Sequence, residues 1–209
     1  QLRAYYHVRI YREDMQSVCD SVRYHGRDSI ISLYGNPVCW NGSNQVSADS
    51  IHIYIRNGEI DYLHGIGNTI AIKQEGAEEF DQLAGKEMLA HVRDGDIYLI
   101  DVNGNAETVF YPREEDGTYI GVNKTRSSFV KLYLENRQVH HVLFTTSSSG
   151  VMIPLTQATK DERYLTPFFW AEQERPQRPG DIFLHPERTP RPNAAAVSAS
   201  AEDEEEEEE

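Results

Sequence analysis

The sequence has few cysteines and lacks long apolar runs. Among 209 residues there are 2 cysteines, Cys19 and Cys39. A disulfide-dense scaffold is therefore excluded, although one bridge between these two residues stays open. No stretch approaches the roughly 20 consecutive apolar residues that an α-helix needs to cross a bilayer. We therefore predict a protein that does not span a membrane.

The motifs of the common enzyme classes are also missing. The sequence contains no HExxH, GxSxG, P-loop or glycine-rich dinucleotide motif. The 8 histidines are scattered. Adjacent His140 and His141 would point to opposite sides of a strand, which hinders joint binding of one ion. We predict that the protein is not an enzyme, and that it has no metal site and no cofactor.

Acidic residues outnumber basic ones, 34 against 20, which gives a formal net charge of −14. The excess is uneven, because residues 202–209 are all acidic. The remaining residues carry 26 acidic and 20 basic side chains, a net charge of −6. A negative body disfavours a nucleic-acid backbone as partner.

An internal repeat runs through the first three quarters of the chain. A shift of 29 places Ser17–Gly35 on Val46–His64, and a shift of 37 places Val46–Asn68 on Leu83–Asn105. A further shift of 42 reaches Ser127–Phe144. Each unit has the same pattern and therefore predicts the same local structure.

Each unit reads as a β-hairpin. Apolar and polar residues alternate over Ile51–Ile55, for example, as in a half-buried strand. A tight turn follows at Asn57-Gly58, Asp94-Gly95 or Asn136-Arg137, and the first two favour a type I′ turn. One hairpin cannot bury its apolar face alone. We predict an all-β fold over residues 1–155, in which an antiparallel repeat sheet folds over on itself as a sandwich or jelly roll.

Alternation also predicts which side chains point into the apolar seam of this folded sheet. Thirteen of them are our candidates for contact with a lipid: Val22, Tyr24, Leu33, Ile51, Ile53, Ile55, Tyr62, Met88, Val92, Leu99, Val130, Leu132 and Leu134. Five more are predicted to point inward: Ile31, Ile60, Ile97, Val139 and Leu143. The same pattern fits a seam filled by its own side chains, so this alternative stays open.

The two ends of the chain differ in character from the repeats. Because 1–12 already reads as a strand, we expect a processed product or a piece of a longer protein. Residues 156–192 predict a short helix and a proline-rich extended segment, with Phe168, Phe169 and Trp170 holding it to the domain. Residues 193–209 predict a disordered acidic tail.

Four segments together resemble the OstA-like/LptA-type lipopolysaccharide-transport family, in particular the later repeats of its long members. They are "YHVRIYREDMQSVCDSVRYHGRDSIISLYGNPVCW", "NQVSADSIHIYI", "GKEMLAHVRDGDIYLIDVNGNAETVFYP" and "GVNKTRSSFVKLYL". The resemblance implies a periplasmic β-jelly roll that carries lipopolysaccharide acyl chains between the inner and outer membranes. It also implies partners of the same type, joined strand edge to strand edge, and an association with the outer membrane as an option.

Further expectations concern charged residues and edges. Lipid phosphates at the rim of the seam would be met by basic residues such as Arg93, Lys124 or Arg126. The first strand, Tyr6–Tyr11, and Ser128–Leu134 or its hairpin partner are candidate open edges, unless a loop or the proline-rich segment covers them. Two other functions stay open, namely a structural strand-edge module that binds no lipid and a carbohydrate-active jelly roll.

Overall fold

The computed structural model describes residues 1–136 and 138–191, and its regular structure is mainly β-strand. The strands are β1 (Leu2–Tyr11), β2 (Gln16–His25), β3 (Ile30–Tyr34), β4 (Val38–Asn41), β5 (Asn44–Ser47), β6 (Ser50–Arg56), β7 (Glu59–Gln74), β8 (Phe80–Arg93), β9 (Asp96–Phe110), β10 (Val122–Glu135), β11 (Gln138–Thr145) and β12 (Ser149–Ile153). Helix α1 (Lys160–Arg163) and two 3₁₀ turns, Glu172–Glu174 and Pro179–Phe183, follow. The tail predicted at 193–209 lies outside the described residues.

The strands form one antiparallel sheet that is folded over on itself. Half-sheet A consists of β3, β6, β11 and one part of each long strand. Half-sheet B consists of β4, β5, β12 and the other part of each long strand. The long strands β1, β2, β7, β8, β9 and β10 therefore run through both half-sheets. The prediction of an all-β, folded-over jelly roll is confirmed.

The long strands turn from one half-sheet to the other at a line of corners. Gly67 and Asn68 have φ angles of 73° and 44°, and Gly104 and Asn105 have 79° and 54°. At each pair the register shifts, so that Gly67 and Asn68 together stand opposite Lys86. Such a bulge bends the strand, and glycine and asparagine adopt the left-handed conformation at low cost.

We predict that Gly67→Ala lowers the free energy of unfolding by about 2 kcal/mol. Alanine is strained at a φ of 73°, and its Cβ would overlap the Asp49 carboxylate. Gly26→Ala is the matched control, because there an added Cβ meets only Tyr24 Cε1, at 3.8 Å. Urea unfolding measures both variants, and equal losses in the two would contradict a special role for the corner.

The turns between strands in half-sheet A follow the sequence prediction. Asn57 and Gly58 have φ angles of 55° and 87°, and Asp94 and Gly95 have 54° and 81°. Positive φ at both central residues defines the type I′ turn, so this prediction is confirmed. In the third turn, Asn136 has a φ of 51°.

The corners also test the repeat alignment. Shifts of 37 and 42 carry Gly67-Asn68 onto Gly104-Asn105 and then onto Thr146-Ser147, which have φ angles of 64° and 53°. The shift of 29 carries Asp20 onto Asp49, but it places Gly35 three residues short of Gly67. The alignment from the first unit to the second therefore fails after the turn, because the β2–β3 hairpin is shorter.

The C-terminal segment, residues 155–191, runs over the outer face of half-sheet B, and we call it the strap. Phe80 of that face lies 5.3 Å from both Phe168 and Trp170, measured between ring centroids. Phe169 packs on a second buried group that includes Trp40. Half-sheet B is thus apolar on both faces, which explains why its strands alternate less clearly than those of half-sheet A.

Polar side chains at repeated positions bind the strap. Gln82 donates to the carbonyl oxygen of Arg163 at 2.7 Å and accepts from the amide of Leu165 at 2.8 Å. Gln45 and Gln16 lie one and two repeat shifts earlier on the same outer face. Lys124, one shift later, donates to the carbonyl oxygen of Asp161 at 2.7 Å.

Candidate functional site

The inner faces of the two half-sheets meet in an apolar seam. A cavity of about 210 Å³ opens where hairpin ends of both half-sheets approach each other, on the side away from the corners, and we call this opening the mouth. Its apolar lining comes from Met15, Cys39, Trp40, Val46, Ile60, Leu63, Val92 and Ile97. A smaller cavity of about 50 Å³ shares Asn44, Val46 and Ile97 with it and continues the seam to Leu132, Leu134 and Val139.

Side chains fill most of the seam away from the mouth. Leu33, Ile51 and Ile53 are each 0% exposed, and Met88 and Val130 are each 1% exposed. Native-like packing of this kind leaves little free volume. A long ligand would therefore have to part these side chains, with the existing cavities as its points of entry.

The structure places most of the predicted inward residues on the seam. Those in or packed against its core are Val22, Ile31, Leu33, Ile51, Ile53, Ile60, Met88, Val92, Ile97, Val130, Leu132 and Leu134. Ile55 pairs with Ile60, and Val139 pairs with Leu134, on the same face. Tyr24 pairs with Ile31 at the end of β2 and is 37% exposed. Contact of these residues with lipid stays a prediction.

Three predicted inward residues point the other way. Tyr62 pairs with Tyr54 and His91 on the outer face, and its ring stacks on Tyr54 at 4.2 Å. Leu99 pairs with His91, and Leu143 with Lys131. In each hairpin the register shifts by one residue just after the turn, so the alternation reverses beyond that point.

The same bulges explain which seam residues the sequence reasoning missed. Leu63, Ile100 and Phe144 take the inward places that Tyr62, Leu99 and Leu143 do not fill. On half-sheet B, Met15, Cys39, Val46 and Leu83 complete the seam. Shortly after each type I′ turn the sequence has two adjacent apolar residues, as in Tyr62-Leu63 and Leu99-Ile100. Such a pair is the available sequence signal, because either of its two residues could face the seam.

None of the three basic residues predicted to meet phosphates lines the cavity at the mouth. Lys124 is held by the strap on the outer face, and Arg126 pairs with Glu107 at 3.1 Å. The guanidinium carbon of Arg93 stands 4.2 Å from the centre of the Tyr98 ring. Charge in the sequence does not reveal on which face a strand residue lies, and contact of these three residues with lipid phosphates stays a prediction.

The polar lining of the mouth is made of amides and carboxylates. Asn41 and Asn44 come from the β4–β5 turn, Asp14 from the β1–β2 turn, and Glu59 and Asp94 from the ends of half-sheet A. Among the lining residues that the structure describes, Arg12 adds a cation.

Burial changes the pKa of three groups near the seam. Desolvation raises the pKa of the Asp81 carboxyl to about 6. The Tyr111 amide, which donates to this carboxylate at 2.9 Å, has the opposite effect and lowers the pKa. Desolvation also raises the pKa of the Cys19 and Cys39 thiols to about 12. Both cysteines are buried and free, so the structure holds no Cys19–Cys39 bridge.

The edges of the folded sheet lie at β1 on one side and at β11 and β12 on the other. β10 is an inner strand, so the predicted edge at Ser128–Leu134 passes to its hairpin partner β11. The strap reaches β1, where Arg9 Nε donates to the carbonyl oxygen of Asp181 at 3.0 Å. Leu2 and Tyr5 at the other end of β1 are each 58% exposed.

Within 1–136 and 138–191, no group of three or more His, Cys, Asp or Glu residues is placed to hold a metal ion. No helix in this part of the chain is long and apolar enough to cross a membrane.

The antiparallel sheet, folded over an apolar seam, is a jelly roll of the kind seen in an LptA-like solved structure. Among solved structures, the chain is similar to the crystal structure of LptH, described as the LptA homologous periplasmic component of the conserved lipopolysaccharide transport device from Pseudomonas aeruginosa. The TM-score is 0.51 at 11% sequence identity, over 67% of this chain and 95% of LptH. At this identity the likeness shows the fold. No family model and no curated protein matches the chain.

Proposed function

We propose that the protein binds the acyl chains of lipopolysaccharide in its seam and passes the lipid on between the inner and outer membranes. The observation that carries the proposal is the apolar cavity between the two half-sheets, in a fold shared with a periplasmic transport component. The role is one of binding, and none of its steps needs a catalytic group.

The driving force would be transfer of acyl chains from water to the seam, worth about 0.8 kcal/mol for each buried CH₂. The mouth exposes Ile60, Leu63, Val92 and Ile97 to an incoming chain. Beyond it, the second cavity continues along Ile100 and Leu132. A chain that enters at the mouth would therefore meet apolar side chains in both cavities.

The proposal includes a periplasmic location and partners of the same fold. Unpaired strand edges accept a further strand from another protein. β11 and the start of β1 offer such edges in the described chain, with Leu2 and Tyr5 exposed on the latter. Pairing at these edges would place successive seams end to end, which suits a bridge. Association with the outer membrane belongs to the same proposal.

A second candidate function is a structural module that uses the same edges and binds no lipid. The observation that favours it is the filled part of the seam, where Leu33, Ile51 and Ile53 have no exposed surface. A module of this kind would space other repeats without opening.

Photocrosslinking separates the two candidates. A photoreactive residue at Leu132, which lines the second cavity, is expected to crosslink to purified lipopolysaccharide, because it lies along the path of the acyl chain. The matched control is the same residue at Leu143, on the neighbouring strand but on the outer face. Gel mobility and mass spectrometry measure the adduct. A yield at Leu132 no higher than at Leu143 would support the structural module instead.

A further inference from the structure

The mouth of the seam carries an excess of negative charge. Asp14, Glu59 and Asp94 line it together with the cation Arg12. Arg12 is already engaged, because its Nε and Nη2 donate to the two oxygens of Asp14 at 2.9 and 3.0 Å. Neither Glu59 nor Asp94 forms an ion pair with any residue that the structure describes. The polar group of a ligand would therefore meet two unneutralised carboxylates.

Arg56, the register partner of Glu59, pairs instead with Asp61 at 2.8 Å. Cations near the second cavity are engaged too. Lys73 lines the second cavity and pairs with Glu75. Arg113 binds the same carboxylate at 3.1 Å. Asp81 adds another acidic group beside Lys73 in the second cavity. Both cavities thus combine an apolar wall with a polar rim that offers oxygen acceptors and amides.

A phosphate and a sugar would meet this rim very differently. Like charges repel, and near a protein surface the repulsion between groups a few ångströms apart is screened less than in bulk water. Sugar hydroxyls, by contrast, donate hydrogen bonds to carboxylates and exchange them with amides such as those of Asn41 and Asn44.

We propose that the seam selects acyl chains borne on a hydroxyl-rich sugar that carries no phosphate where it meets the mouth, and that Glu59 and Asp94 are the residues that discriminate against phosphate. This inference rests on the proposed lipid-binding function and names the class of lipid. A phosphate elsewhere on the same molecule would lie outside the mouth.

The test compares two lipids that differ by one phosphate. Diphosphoryl lipid A and its monophosphoryl form, with identical acyl chains, are titrated into the full-length protein at low salt with EDTA present. We expect the monophosphoryl form to bind roughly fivefold more tightly, and the ratio to approach one at 0.5 M salt because the carboxylates are screened. Glu59→Gln combined with Asp94→Asn is expected to abolish the preference, and asparagine suits the left-handed turn position of Asp94.

The control variant combines Glu114→Gln and Glu115→Gln. It changes the net charge by the same amount as the Glu59 and Asp94 variant, but at exposed positions that do not line the cavity. It should keep the preference. Equal binding of both lipids to the unchanged protein, or tighter binding of the diphosphoryl form, would overturn the inference but leave lipid binding intact. Absence of binding to either lipid in every variant would overturn the proposed function and this inference with it.

Discussion

Gln45→Ala is expected to lower the free energy of unfolding by about 3 kcal/mol, although its side chain lies on the outer face and does not line the mouth. Gln45 is 0% exposed, and its side chain donates to the carbonyl oxygen of Phe169 at 2.8 Å and accepts from the amide of Ala171 at 2.9 Å. Alanine would leave both backbone groups of the strap buried without partners. Each such group costs about 1–3 kcal/mol.

Urea unfolding gives the total effect, and hydrogen exchange at the Ala171 amide shows whether the strap opens locally. We expect faster exchange there, because this amide loses its acceptor. Gln138→Ala is the control, since Gln138 is exposed on β11, and it should change stability by less than about 0.5 kcal/mol. A loss of the same size in both variants, with exchange at Ala171 unchanged, would refute the anchoring role.

The anchoring glutamines show what the repeat in the sequence could have revealed about the strap. Gln16, Gln45 and Gln82 are separated by the shifts of 29 and 37 that align the units. A polar residue at the same place in successive units indicates a shared partner on that face. The proline-rich segment, with Phe168, Phe169 and Trp170, was the available candidate. The glutamine positions alone, however, do not fix the path or direction of a chain that crosses them.

The hairpins could be predicted because local chemistry determines them. Asn57-Gly58 and Asp94-Gly95 favour positive φ, and alternation sets the strands on either side. The fold-over could be predicted because a single apolar face must be covered. The corners are not evident from the sequence, although Gly67-Asn68 and Gly104-Asn105 repeat the same dipeptide, because a short pair of left-handed residues also fits an ordinary turn.

The candidate site was predictable for the core of the seam and not for its rim. Residues such as Ile53 and Leu132 lie well inside regular strands, where the period of two holds. Tyr62 and Leu99 follow a bulge, and a shift of one residue reverses the face of every later side chain. The charges at the mouth depend on which turns meet across the seam, a long-range property that spacing along the chain does not contain.

The carboxyl group of Asp81 is expected to make stability fall as pH rises through about 6. Burial raises its pKa in the folded protein to about 6, whereas an unfolded chain has the ordinary value of 3.8. The folded state thus binds the proton more tightly. Its stabilising contribution is full below the unfolded pKa and is lost as pH rises through the folded one. A difference of about two pKa units corresponds to about 3 kcal/mol.

Asp81→Asn removes this titration while keeping an oxygen that accepts from the Tyr111 amide. The variant should match the unchanged protein near pH 4 and exceed its stability by up to about 3 kcal/mol near pH 7, as measured by urea unfolding across the range.

Asp116→Asn is the control, and its stability should depend on pH in the opposite direction. Hydrogen bonds from Thr118 lower the pKa of that exposed carboxyl, so its loss should weaken the fold at neutral pH and matter less in acid. A constant difference between Asp81→Asn and the unchanged protein from pH 4 to pH 7 would show that Asp81 does not titrate in this window.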